Sequence, residues 1–209
     1  MRNIDEFLSK SLVSMIKKDL GKKALDKIEK RLFEKYGITV TESMRQFNKL
    51  DVILREFFGA GTDGLEEKWL KKICELEIVE IRNKPSKNII KVNDQSLVRI
   101  IRETYCDKSK EEILCTLLDV AMTPNQILEK FNISQTTGYR KINQLIKNGL
   151  LIESGYVMIP DKKRVKKYIA VLNDVNIRIV NGKIGIEIGL DDESFEGSSI
   201  LHTIYSKMI

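Results

Sequence analysis

Between Thr123 and Gly149 the chain reads TPNQILEKFNISQTTGYRKINQLIKNG, and this stretch restricts the fold more than any other. Thr123 is placed to cap a helix that opens on Pro124, whose missing N–H would be unpaired in a first turn anyway. Gln126, three residues on, completes a capping box. Ile127, Leu128 and Phe131 supply a short apolar face. Asn132-Ile133 reads as a turn, Ser134 as the cap of a second helix over 135–148, and Gly149 as its stop. A two-turn helix, a tight turn and a longer helix predict a helix-turn-helix.

The spacing in the second helix divides its residues between two faces. Gly138, Ile142, Leu145 and Ile146 fall at i, i+4, i+7 and i+8, the pattern of a buried stripe. Gly138 costs about 1 kcal/mol of helix propensity, which predicts close approach of the first helix there. Gln135, Thr136, Tyr139, Arg140 and Asn143 occupy the opposite face. Side chains of these types meet base edges in a major groove: Arg with guanine, Asn or Gln with adenine, Thr with either. Thr137 and Lys141 flank that face, where phosphates would lie. The bland alternative is a solvated polar face on an ordinary helical hairpin.

After Gly149 come two β-prone runs, Leu150–Ile152 and Tyr156–Ile159, then an alternating run from Arg164 to Leu172. Between them lies the basic, proline-bearing tip PDKKR. A helix-turn-helix followed by a basic hairpin is the order of a winged helix. QTTGYRKINQLIKNGLL, with the preceding ILCTLLDVAMTPNQILEKFNIS, resembles the winged helix-turn-helix of archaeal transcription regulators of the ArsR-like kind. The resemblance covers about Asp94 to Leu172. It implies binding to double-stranded DNA, with Lys162, Lys163 and Arg164 at the wing tip on the adjacent minor groove or backbone, and Lys166 and Lys167 along the wing strand. Operators read by such domains are usually palindromic, which implies a homodimer.

Charge placement agrees with that expectation. The chain has a formal net charge of +6. From Thr136 to Leu172 eight basic residues face two acidic ones, Glu153 and Asp161, and the rest of the chain balances. The whole excess therefore sits on the second helix and the hairpin, as phosphate contact requires.

The remaining sequence predicts a fold class of α+β, mainly α: an N-terminal helical bundle, then the winged domain, then a C-terminal β-hairpin and short helix. The first unit spans 1–82. Its apolar periodicity marks helices over Ile4–Leu20, ended by Gly21, and over Leu25–Tyr36, ended by Gly37. A third follows a Thr39/Glu42 capping box through Phe58, and a fourth runs from Leu65 to Leu76. Gly59-Ala60-Gly61-Thr62-Asp63-Gly64 matches a dinucleotide-binding fingerprint in letters, but a helical run precedes it where a strand is required. The expected reading is Gly59 ending one helix and Asp63 capping the next, with Glu66 closing the box. Residues 77–82 suit either a short strand or a frayed helix end.

Residues 83–93 (NKPSKNIIKVN) read as a linker, 94–172 as the winged domain, and 173–209 as an extension. In that extension Asn181-Gly182 between alternating runs marks a hairpin, expected to pair with 164–172. Ile200, Leu201, Ile204 and Tyr205 would dock the last helix on the extra sheet, or on a second copy.

No catalytic constellation is present, and neither an enzyme nor a cofactor is expected. Cys74, Cys106 and Cys115 are odd in number and widely spaced, without C-x-x-C. They read as buried reduced thiols, and the thiolate spacing of a metal sensor is missing, so no metal is expected. A charged N-terminus and the absence of a long apolar run suggest a cytoplasmic protein with no membrane partner. Two further functions remain open: a winged helix serving as a protein-interaction module, and an N-terminal domain sensing a small-molecule effector of unknown identity.

Overall fold

Helix α1 (Asp5–Tyr36) bends at Gly21, where φ of 70° and ψ of 167° leave the helical region. The two helices expected on either side of Gly21 are thus two arms of one bent element. Phe7, Leu8, Leu12 and Ile16 are buried along the first arm, and Ile28 and Leu32 along the second. Residues 3–79, 87–158 and 164–207 of this computed structural model are described; among them the chain is α+β and mainly helical.

The Thr39/Glu42 box forms as expected, with the Thr39 N–H donating to Glu42 Oε2 at 2.8 Å and the Glu42 N–H to Thr39 Oγ1 at 3.2 Å. It opens a 3-10 helix over Glu42–Gln46, and helix α2 then runs over Phe47–Phe58. Helix α3 (Gly61–Ile73) corrects the reading of the glycine cluster. Gly59 does end α2, but α3 has already begun at Gly61, so Asp63 lies inside its first turn and caps nothing. Asp63 pairs instead with Arg55, and Glu66 is fully buried. Helix α2, not a strand, precedes the glycines.

Strand β1 (Cys74–Val79) follows α3 directly, and β2 (Lys87–Val92) pairs with it antiparallel. The expected linker is therefore a strand from Lys87 onward. Its Ile90 and Val92 alternate into the core, an alternation too short to stand out beside Pro85 and the surrounding lysines. Helices α4 (Gln95–Tyr105), α5 (Lys108–Thr116), α6 (Pro124–Phe131) and α7 (Gln135–Lys147) come next. Strands β3 (Leu151–Met158) and β4 (Arg164–Ala170) form a two-stranded hairpin.

The final hairpin, β5 (Asp174–Val180) and β6 (Lys183–Leu190), turns on Asn181-Gly182 with φ of 51° and 74°, as a two-residue turn of this kind demands. Its expected partner is corrected: β6 pairs with β2, not β4, giving a sheet ordered β1-β2-β6-β5. On β6, Ile186, Ile188 and Leu190 line one face with Ile90 opposite Ile188, and all four are buried. The free side of β4 is occupied by Met122, which exchanges backbone hydrogen bonds with Tyr168 at 3.1 and 2.8 Å.

Helices α8 (Asp192–Glu196) and α9 (Ser199–Tyr205) close the chain. Helix α9 packs chiefly on α2 and the 3-10 helix, then on α8 and α3, rather than on the sheet, touching the latter where the Leu76 N–H donates to the Tyr205 hydroxyl at 3.0 Å. Its N-terminus is capped from the far end of the chain: the Ser199 N–H donates to Asp5 Oδ2 at 2.8 Å. The buried apolar residues form one cluster from Ile4 to Ile204, to which 1–82, 94–172 and 173–209 all contribute. No helix among the described residues is long and apolar enough to cross a membrane.

Candidate nucleic-acid interface

Short-range bonds build the α6–α7 pair. Thr123 Oγ1 accepts the Gln126 N–H at 3.3 Å while Gln126 Oε1 accepts the Thr123 N–H at 2.9 Å, closing the expected box. Asn132 turns the chain in the left-handed region at φ 48°. Ser134 stands at the N-cap of α7, but its side chain makes no cap bond. Gly138 is buried against α6, where a Cβ would lie 1.8 Å from Leu128 Cδ2. The two helices thus cross at a separation that glycine permits. Ile142 and Leu145 complete the buried stripe, with Ile146 half-buried.

The β3–β4 hairpin is fastened to the same unit. Ser154 and Gly155 oppose Lys167 in a bulge, with Gly155 at φ 84°, which strengthens the local twist. The Ala170 N–H donates to the Leu117 carbonyl at 2.9 Å, just past α5.

On the outer side of α7, Gln135, Thr136, Tyr139, Arg140 and Asn143 are all exposed, as expected, and Thr137 is half-buried beside them. No acidic residue interrupts α7. The Tyr139 hydroxyl donates to Asn125 Oδ1 at 2.7 Å, tying this face to the first turn of α6. Asn125 carries no sequence signal for this role, since it lies fourteen residues away and meets Tyr139 where the helices cross at Gly138. Exposed Gln144, one turn beyond Arg140, belongs to the same face, and its i+4 position is the signal for it.

The basic residues are less uniform than their count suggests. Lys141 Nζ donates to both Asp107 carboxylate oxygens, at 2.6 and 2.8 Å, and joins α7 to the N-cap of α5. Burial opposes the Asp107 charge, yet Lys141 and the Lys110 N–H outweigh it and keep the carboxyl below its ordinary pKa. Lys166 pairs with Glu153 across the hairpin at 2.7 Å. The Arg164 guanidinium lies 4.8 Å from the Tyr156 ring centre, a cation–π distance. Lys167 is half-buried, while Arg140 and Lys147 are exposed. Lys162 and Lys163 lie outside the described residues.

Two clefts adjoin the inner end of α7, about 400 and 460 Å³ in volume. Glu6, Arg45 and Ile146 border both, so they lie between α1, the 3-10 helix and the last turn of α7. Lys10 and Lys147 meet at the larger one; burial and then the Lys147 charge lower the Lys10 pKa.

The thiols depart from expectation. Cys74 is buried, its pKa pushed up to about 12 by burial, whereas Cys106 and Cys115 are exposed at the end of α4 and on the outer side of α5. Elsewhere Asp51, Asp63 and Glu66 bring carboxylate oxygens within 4.8 Å of one another. Lys207 Nζ sits among them, 2.6 Å from Asp51, 2.8 Å from Glu66 and 3.5 Å from Asp63. The ammonium occupies the place a cation would take.

The chain matches no protein-family model, no curated protein and no solved structure.

Proposed function

We propose that the chain is a sequence-specific regulator of transcription that binds double-stranded DNA through a winged helix-turn-helix of the ArsR-like kind. Helix α7 enters the major groove and the β3–β4 hairpin reaches the adjacent groove or backbone. One observation carries this reading: an exposed, acid-free face of Gln135, Thr136, Tyr139, Arg140 and Asn143, on a helix locked to its neighbour at Gly138, on the segment that holds the chain's whole charge excess. Arg140 and Asn143 read bases. Tyr139 is oriented by Asn125, and Lys141 positions α7 through Asp107 instead of meeting phosphate. Arg164, Lys166 and Lys167, with Lys162 and Lys163, supply the electrostatic part. The working form is a homodimer in the cytoplasm, without catalytic residues or a cofactor.

Fluorescence-anisotropy titration of a duplex from the gene's own upstream region and a scrambled duplex, across a salt series, tests the proposal. Tighter binding to the upstream duplex with a steep salt slope is expected. Arg140→Ala should cost about 1–3 kcal/mol and blur sequence preference, whereas Lys167→Ala should weaken all sequences alike and flatten the slope. Absence of binding to either duplex at low salt would overturn the reading and favour a protein-interaction module.

The clefts against Ile146 support a second reading, in which a small molecule held between α1 and α7 adjusts the DNA-binding unit. Thermal-shift screening against metabolites would detect it.

A further inference from the structure

Strand β5 lies at the open end of the β1-β2-β6-β5 sheet. Such edges are usually short, bulged or covered, because unpaired N–H and C=O groups invite another strand. This one is regular along all seven residues. Ile177, Ile179 and Val180 are 40%, 73% and 62% exposed. Register with β6 fixes the faces: Val175, Ile177 and Ile179 stand opposite Ile188, Ile186 and Ile184, and opposite residues share a face. The apolar face that covers the core at Ile186 and Ile188 therefore continues outward along β5. Helices α4 and α8 pack on β2 and β6, while the outer part of this face stays open to solvent.

We propose that β5 pairs antiparallel with β5 of a second copy about a two-fold axis through Ile177, joining the two four-stranded sheets into one of eight strands. The charge pattern of the strand points to a second copy as the occupant. This is the self-pairing register in which every residue of Asp174–Val180 finds an opposite. On the apolar face Ile177 meets itself and Val175 meets Ile179. On the other face Asn176 meets Arg178, and Arg178 lies one diagonal step from both Asp174 and Arg178 of the second copy, which sets two unlike pairs against one like pair. The two charged residues of β5 are of opposite sign, so in antiparallel order the unlike contacts outnumber the like one. Parallel order would stack Asp174 on Asp174 and Arg178 on Arg178. Glu187 of the neighbouring strand holds Arg178 on that face at 3.1 Å. The contact is isologous and consumes the edge it uses, so it closes at two copies on that side.

This inference deepens the homodimer part of the functional reading, and its test contains no DNA, so the two can fail separately. In full-length protein with Cys106 and Cys115 changed to Ser, Ile177→Cys should oxidise to a covalent dimer. Asn176→Cys, on the opposite face beside the axis, and Phe33→Cys, on α1, should not. Light scattering should give twice the chain mass for wild type. Ile179→Lys, a change at an exposed side chain, should raise the dimer dissociation constant at least about tenfold with an unchanged circular-dichroism spectrum. A monomeric wild type, an undiminished dimer in Ile179→Lys, or a covalent dimer in the Asn176→Cys or Phe33→Cys variant but not in Ile177→Cys would each overturn the proposal.

Discussion

The α6–α7 pair and the β1-β2-β6-β5 sheet are held together over opposite ranges of sequence. Thr123 bonds to Gln126, the Ile133 N–H to the Leu128 carbonyl, and Gly138 packs on Leu128, all within fifteen residues. The sheet instead pairs Ile90 with Ile188. Around it the last helix is capped by Asp5 and anchored by Lys207 to Asp51 and Glu66. Each region is therefore vulnerable in its own way. A fault in the helix pair stays local, and a fault in the long-range contacts loosens both ends of the chain.

The seam between the regions offers the largest test. Gly149 ends α7 at φ 70°, and a Cβ there would lie 2.3 Å from the Glu6 carbonyl oxygen and 2.8 Å from Phe7 Cα. Both obstacles are backbone, so no side chain can swing aside. Gly149→Ala combines left-handed strain with a backbone clash and should cost about 3–4 kcal/mol, read by urea denaturation. A loss under about 1 kcal/mol would mean that the helix pair and α1 are not firmly joined.

A pH series separates the long-range contacts from the local ones. Burial raises the Glu66 pKa to about 7 against the pull of Lys207, and raises Asp5 to about 6 against its bonds from Ser198, Ser199 and Ile200. A folded-state pKa above the unfolded value means that the folded form binds protons more tightly. The stability each group contributes is complete below about pH 4 and is lost as pH rises through 6 for Asp5 and 7 for Glu66. Wild type should therefore be less stable at pH 8 than at pH 5. Glu66→Gln should remove roughly 2–3 kcal/mol of that difference, since it deletes the charge whose Oε1 has no described partner. An unchanged difference would show that the Lys207 network bears no pH-dependent load.

Within the helix pair, Gly138→Ala probes the crossing. The obstructing atom is the end of the Leu128 side chain, which can rotate, and alanine recovers about 1 kcal/mol of helix propensity. A net loss of about 1–2 kcal/mol is expected, smaller than at Gly149 because the neighbour can yield. Equal losses at the two glycines would erase the distinction between a side-chain and a backbone neighbour.

What the sequence revealed follows the same division. Thr123, Gln126, Gly138 and Asn181-Gly182 announce their structures because cap, crossing and turn are each satisfied by near neighbours. The exposed face of α7 was legible for the same reason, since helical period alone separates Arg140 from Ile142. Lys87–Val92 looked like a linker because its partners, β1 and β6, are not both nearby in sequence. The roles of Lys141 and Asn125 were hidden likewise: Asp107 is thirty-four residues from the first and Tyr139 fourteen from the second. Asp63 was misplaced because helix starts compete locally, and α3 gained its first turn at Gly61 despite lacking a side-chain cap.

The mildest loss is expected at the start of α6. Thr123→Ala removes the acceptor for the Gln126 N–H and frees Gln126 from its return bond to the Thr123 N–H. Pro124 still presets the first turn, so α6 should survive at a cost of about 1 kcal/mol. Because the box serves only the start of α6, hydrogen exchange should quicken at α6 and α7 and stay unchanged at β2, β6 and α9. Thr123 Oγ1 carries no charge, so this loss should be the same at pH 5 and pH 8, unlike that of Glu66→Gln. Faster exchange reaching α9 would mean that the helix pair and the long-range network open as one unit.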